Sequence, residues 1–204
     1  MRKIIHFHQA AVSAALILLV LAVASVNAQT TPQTHDEFVQ AGQEAARKQD
    51  YAAAAKWYSK AIERQRDDYD IMYARAGCYT VLGKYSEALK DLNAILAVKP
   101  DALGVLYLRA SVYNAKLDWK KGYADAQTIL KADPEHADGY QARGLAQAGM
   151  KKYAEAESDL AEAIKRSPKN PMYYTVRAAV YTDQGKAAQA QADKLKAEQL
   201  QRGQ

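Results

Sequence analysis

A proline recurs at Pro100, Pro134 and Pro168, each 34 residues after the last, and that period organises the chain from His35 onward. Laid out from His35 it gives five blocks without an insertion: 35–68, 69–102, 103–136, 137–170 and 171–204. A fixed period of this length marks a stacked array, in which each unit is one supersecondary element whose apolar face is covered by its neighbours. Hydrophobic residues at 49% supply enough apolar surface for a packed domain, and a lone cysteine, Cys78, excludes a disulfide framework.

The columns of the layout have physical meaning. Place eight holds Gly42, Ala76, Ala110, Gly144 and Ala178, and place twenty holds Ala54, Ala88, Gly122, Ala156 and Ala190. Small residues at both places let two helices approach closely. Place four carries Phe38, Met72, Leu106, Tyr140 and Tyr174, and place eleven carries Tyr79, Tyr113 and Tyr181. With place eight these make an i, i+4, i+7 stripe, which is one buried helix face. Tyr51, Tyr85, Trp119 and Tyr153 stand at place seventeen, after turn signals such as Leu82-Gly83-Lys84. A second apolar stripe follows through Tyr58, Leu92, Leu160, Ile62, Leu96, Leu130 and Ile164. Each block therefore reads as helix, short turn, helix, with proline closing blocks two to four.

These columns resemble the tetratricopeptide repeat, a 34-residue helical hairpin with small, aromatic and proline places, over all of residues 35–204. Departures are local: Arg66 stands where the terminal proline is usual, Gly122 thins the third block, and Ala187 replaces the aromatic in the fifth. The resemblance implies an all-α fold, a right-handed α-solenoid of five hairpins whose first helices line a concave groove for a peptide or helix of another protein. In the last block Lys194 and Glu198 replace the apolar residues of earlier blocks, so residues 187–202 read as a solvating cap.

Two sets of residues stand out. Arg75, Arg109, Arg143 and Arg177 repeat at place seven, and Asp91, Asp125, Asp159 and Asp193 at place twenty-three; the first block lacks both, with Ala41 and Trp57. This coupled presence and absence predicts four ion pairs, each bridging the two helices of a hairpin. An arginine ladder for an anionic ligand is the competing reading. The second set is the groove lining that the resemblance implies: Gln43, Arg47, Tyr73, Thr80, Tyr107, Ser111, Asn114 and Gln141. Its aromatics, hydroxyls and amides suit a mixed apolar and hydrogen-bonded peptide, while the same tyrosines serve equally to pack on the next block.

Chaperone-binding members of the family hold a terminal carboxylate with a lysine, asparagine and arginine clamp. The matching places here hold Val39, Gln43, Ala74, Gly104 and Leu108, so that mode of binding is not expected. Asp67, Asp68, Asp70, Asp101, Glu135 and Asp138 gather at the starts of first helices, as caps or as an acidic rim that would prefer basic segments. Catalysis has little support: beyond the leader only His35 and His136 remain, neither in a triad, Ser111 has no histidine at helical spacing, and neither a phosphate loop nor metal-ligand spacing occurs. No cofactor, no metal and no enzyme activity is expected.

The first 28 residues read separately. Arg2 and Lys3 precede an apolar run from Ala10 to Val26, which ends in Val26-Asn27-Ala28, the small-x-Ala pattern of a signal peptide cleaved after Ala28. Residues 29–34 then form a short linker. The alternative is a retained anchor, the one case in which a membrane is an expected partner. Without Arg2 and Lys3 the 28 basic residues fall to 26 against 23 acidic ones, too small an excess for nucleic-acid binding. The expectation is an exported, periplasmic, non-catalytic scaffold that binds a peptide or protein and aids assembly of an envelope complex. A tethered or self-associating spacer is the second reading.

Overall fold

A computed structural model describes residues 32–203, so the expected leader and the first half of the linker lie outside the described residues. The described helices all belong to one unit that begins at His35. Those helices pair into five hairpins: α1 (His35–Arg47) with α2 (Tyr51–Arg64), α3 (Tyr69–Val81) with α4 (Tyr85–Val98), and α5 (Leu103–Ala115) with α6 (Trp119–Ala132). The last two are α7 (Ala137–Gly149) with α8 (Tyr153–Arg166), and α9 (Pro171–Asp183) with α10 (Ala187–Gln201). There is no strand among the described residues.

Each boundary has a local cause. The place-seventeen aromatics Tyr51, Tyr85, Trp119 and Tyr153 are the first residues of second helices. Just before them, place fifteen is left-handed in all five hairpins: φ is 62° at Gln49, Leu117 and Lys151, 70° at Gly83 and 73° at Gly185. A left-handed residue turns the chain out of the first helix, and glycine adopts that conformation without a Cβ penalty. Between hairpins, side chains cap the next first helix: Asp68 accepts from the amide of Ile71, Asn170 from that of Met172, and His136 through Nδ1 from that of Gly139.

Small residues set the crossing within a hairpin. A Cβ placed on Gly42 would lie 2.5 Å from the Tyr58 ring, so that ring occupies the space a side chain would fill. The core runs along the stack: Ala76, Leu92, Ile95, Leu106, Val112 and Ile129 form one buried cluster that spans two hairpins. A second cluster joins Phe38, Ala54, Tyr58 and Ala61 to Ile71 and Cys78 of the next hairpin. Burial of this kind, shared between neighbours, holds a solenoid together.

Which side is concave follows from what touches what. The second helices α2, α4, α6 and α8 each pack on the first helix of the next hairpin, and first helices also touch one another, α3 with α5, α5 with α7 and α7 with α9; second helices make no comparable contacts among themselves. Equivalent helices come closest on the inside of a curve. First helices therefore line the inner face.

Candidate functional site

The four repeated arginines face their own hairpins. Arg75 donates from Nε and Nη2 to both carboxylate oxygens of Asp91, at 2.8 and 2.7 Å. Arg109 holds Asp125 in the same way at 2.8 Å, Arg143 holds Asp159 at 2.7 Å, and Arg177 holds Asp193 at 2.7 and 2.9 Å. The four aspartates are buried, so each forked pair satisfies a carboxylate that would otherwise be costly to desolvate. Two arginines reach further: Arg75 donates to Ser59 on α2 and Arg109 to Asn93 on α4, tying three helices together. The first hairpin replaces this device with an aromatic one. Trp57 stacks on Phe38 with centroids 6.1 Å apart, and the Lys60 ammonium lies 4.7 Å from the Trp57 ring centroid.

A second row of polar contacts joins first helix to first helix along the inner face. The Tyr73 hydroxyl on α3 stands 3.5 Å from the Gly104 carbonyl on α5. Tyr107 on α5 donates to Oε1 of Gln141 on α7 at 3.3 Å, and Tyr173 on α9 donates to Oδ1 of Asp138 on α7 at 2.7 Å. Burial raises the pKa of all three phenols; a hydrogen bond to Asp138 adds to the rise at Tyr173, and the charge of Asp138 adds at Tyr107. These hydroxyls stay protonated and act as donors at neutral pH. Tyr73 is 39% exposed and forms one wall of an open notch with Tyr69, Asp70, Leu103 and Gly104.

Models of the tetratricopeptide repeat match this chain at residues 45–112, 107–171 and 142–200. The chain is a tetratricopeptide-repeat protein. Among curated proteins, the array is 38% identical over 68 residues to Heat shock protein STI1 of Saccharomyces cerevisiae, covering 33% of this chain and 12% of that one. It is also 38% identical over 69 residues to Hsp70-Hsp90 organizing protein 1 of Glycine max, covering 34% and 12%. The matched segment thus spans about an eighth of these relatives. Solved structures share the fold over more of the length. A tetratricopeptide repeat protein from Parabacteroides merdae superposes with a TM-score of 0.72 at 25% identity, over 85% of this chain and 68% of that one. MamA from Desulfovibrio magneticus RS-1, residues 41 to the end, gives 0.67 at 17% identity, over 85% and 98%.

On the tetratricopeptide frame, the residues expected to line the groove separate into three groups. Gln43, Arg47 and Tyr73 are exposed. Thr80, Tyr107 and Ser111 are half-buried, and both hydroxyls of the pair Thr80 and Ser111 donate to carbonyls one turn back, those of Ala76 and Tyr107. Asn114 and Gln141 are buried, at 2% and 6% exposure, and offer almost no surface to a partner. Asn114 instead donates its amide to the Ala142 carbonyl, stitching α5 to α7. Its other amide atom explains the thinned third block: a Cβ on Gly122 would lie 2.1 Å from Asn114 Oδ1. Of the acidic residues at helix starts, Asp68 is a cap, whereas Asp138 receives Tyr173. Packing of Tyr73 and Tyr107 on the next block was one of the two readings open in the sequence, but their hydroxyl partners were not legible, because these depend on how far one hairpin rotates on the next. Tyr73 and Tyr107 share place five of consecutive blocks, whereas Tyr173 stands at place three and carries no such column signal.

Proposed function

We propose that this protein is an exported, non-catalytic adaptor that binds a peptide or protein segment along its inner face and so aids assembly of a complex in the cell envelope. The observation that carries the reading is the inner face itself: first helices bring Tyr73, Tyr107, Asp138 and Tyr173 into one row, with Tyr73 open to solvent beside a notch. Tyrosine there offers large contact area with little side-chain entropy to lose. The family is built of protein-interaction repeats, and the leader pattern at Met1 to Ala28 supports export. A chaperone tail is a poor fit. Val39, Gln43, Ala74, Gly104 and Leu108 present no cation to a terminal carboxylate.

Affinity capture from producing cells tests the proposal, using the full chain beside a Tyr73→Ala, Tyr107→Ala double variant and identifying retained proteins by mass. A partner held by the wild type and lost by at least about tenfold from a stably folded variant is expected, since central aromatic anchors each contribute about 2 kcal/mol or more. Equal retention would remove the inner face as the binding surface. Self-association without any retained partner would favour the spacer reading.

A further inference from the structure

The charges of the array are sorted by helix. Once the four forked Arg–Asp pairs are set aside, the first helices from α3 to α9 carry Asp70, Asp138 and Asp183 and no lysine or arginine at all. Including α1 adds Asp36, Glu37 and Glu44 against one cation, Arg47. Second helices show the reverse, with Lys and Arg outnumbering Asp and Glu eleven to six when the four paired aspartates are set aside. The whole chain carries a net +5, so a negative inner face opposes the overall sign rather than following from it.

We propose that the inner face is a dock for an extended cationic segment of a partner protein, with Lys or Arg side chains laid against the Tyr73 and Tyr107 rings and directed to Asp70 and Asp138. This deepens the reading of the inner face as a peptide groove and rests on it. Three features fit such an occupant. Asp70 and Tyr73 line the same notch, so a carboxylate and a ring face one space. Asp138 is held at Oδ1 by the Tyr173 hydroxyl, and an ionised carboxylate keeps further lone pairs for a cation. The one cation at the notch, Lys99, lies 5.3 Å from the centroid of the Tyr69 ring and belongs to the end of the second-helix layer. Opposed potentials of this kind guide encounter and reject partners of the wrong sign, and a cation over a tyrosine face gains further attraction once water is excluded.

The test uses fluorescein-labelled decapeptides in which alanine alternates with lysine, glutamine or glutamate, titrated with the full chain and read by anisotropy. The lysine peptide should bind at least about tenfold more tightly than the glutamine peptide at low salt, lose that advantage as salt rises, and leave the glutamate peptide unbound. Asp70→Asn with Asp138→Asn should weaken the lysine peptide about tenfold, while asparagine keeps an oxygen for the Tyr173 hydroxyl and the melting temperature stays put. If the glutamine or glutamate peptide binds as well, and Tyr73→Ala with Tyr107→Ala abolishes that binding, the charge inference falls and the groove reading stands. If the lysine peptide binds but neither pair of substitutions weakens it, both fall. No binding of the lysine peptide, or salt-sensitive self-association in its place, overturns the charge inference alone.

Discussion

Asn114 and Gly122 show how one residue fixes another across a hairpin. Asparagine at place twelve needs the volume that a place-twenty alanine fills elsewhere, and the pair is matched only as a pair. Gly122→Ala should therefore lower stability by about 1–3 kcal/mol through overpacking. Adding Asn114→Ala should cost less in Gly122→Ala than in the wild type, a non-additivity that denaturant unfolding of both single variants and the double would measure. An additive result would show that the clash relaxes elsewhere. Leu117 is a second local tension: it is 67% exposed and held at a φ of 62°, where a branched side chain is disfavoured. Leu117→Gly should raise stability by about 0.5–1 kcal/mol, the relief of strain exceeding the entropy glycine adds to the unfolded chain. A lower melting temperature would contradict this.

At the scale of the helix, the hairpins were written into the sequence and their rotation was not. Proline, aromatic and small columns locate helix starts and crossings because each acts within one block. The Arg–Asp spacing is legible for the same reason, since places seven and twenty-three meet inside one hairpin. Truncating one partner strands the other: Arg109→Ala leaves Asp125 buried and should cost about 3–5 kcal/mol, seen as a lower melting temperature with binding retained while the array is folded. Loss of binding at unchanged stability would make the arginine a ligand residue instead. By contrast, burial of Asn114 and Gln141 and the contact between Tyr173 and Asp138 arise between blocks, where no column spacing reports the angle.

The first hairpin also carries a titrating link. His35 lies 2.9 Å from Asp36 through Nδ1 and 3.0 Å from Asp68, the cap of α3, through Nε2. Its pKa is raised, chiefly by the hydrogen bond to Asp36, with the charge of Asp68 adding. Protonated histidine is thus favoured in the fold, so its stabilising effect is full below the ordinary imidazole value of about 6.5 and fades as pH rises through the raised value. The melting temperature of the wild type should exceed that of His35→Gln most below about pH 6, with the gap narrowing above that. A gap independent of pH would show that the link is not ionic.

At the scale of the molecule, a period of 34 residues makes the array, and charge outside the forked Arg–Asp pairs is sorted between first and second helices. Among the described residues no helix is long and apolar enough to cross a membrane. The central claim is that the inner face does the binding. It is tested most directly by photocrosslinking in producing cells, with p-benzoylphenylalanine placed at Tyr73 on α3 or at the exposed Glu87 on α4. The account predicts a discrete crosslinked partner from position 73 and none from position 87. Crosslinks from position 87 alone, or the same products from both, would contradict it.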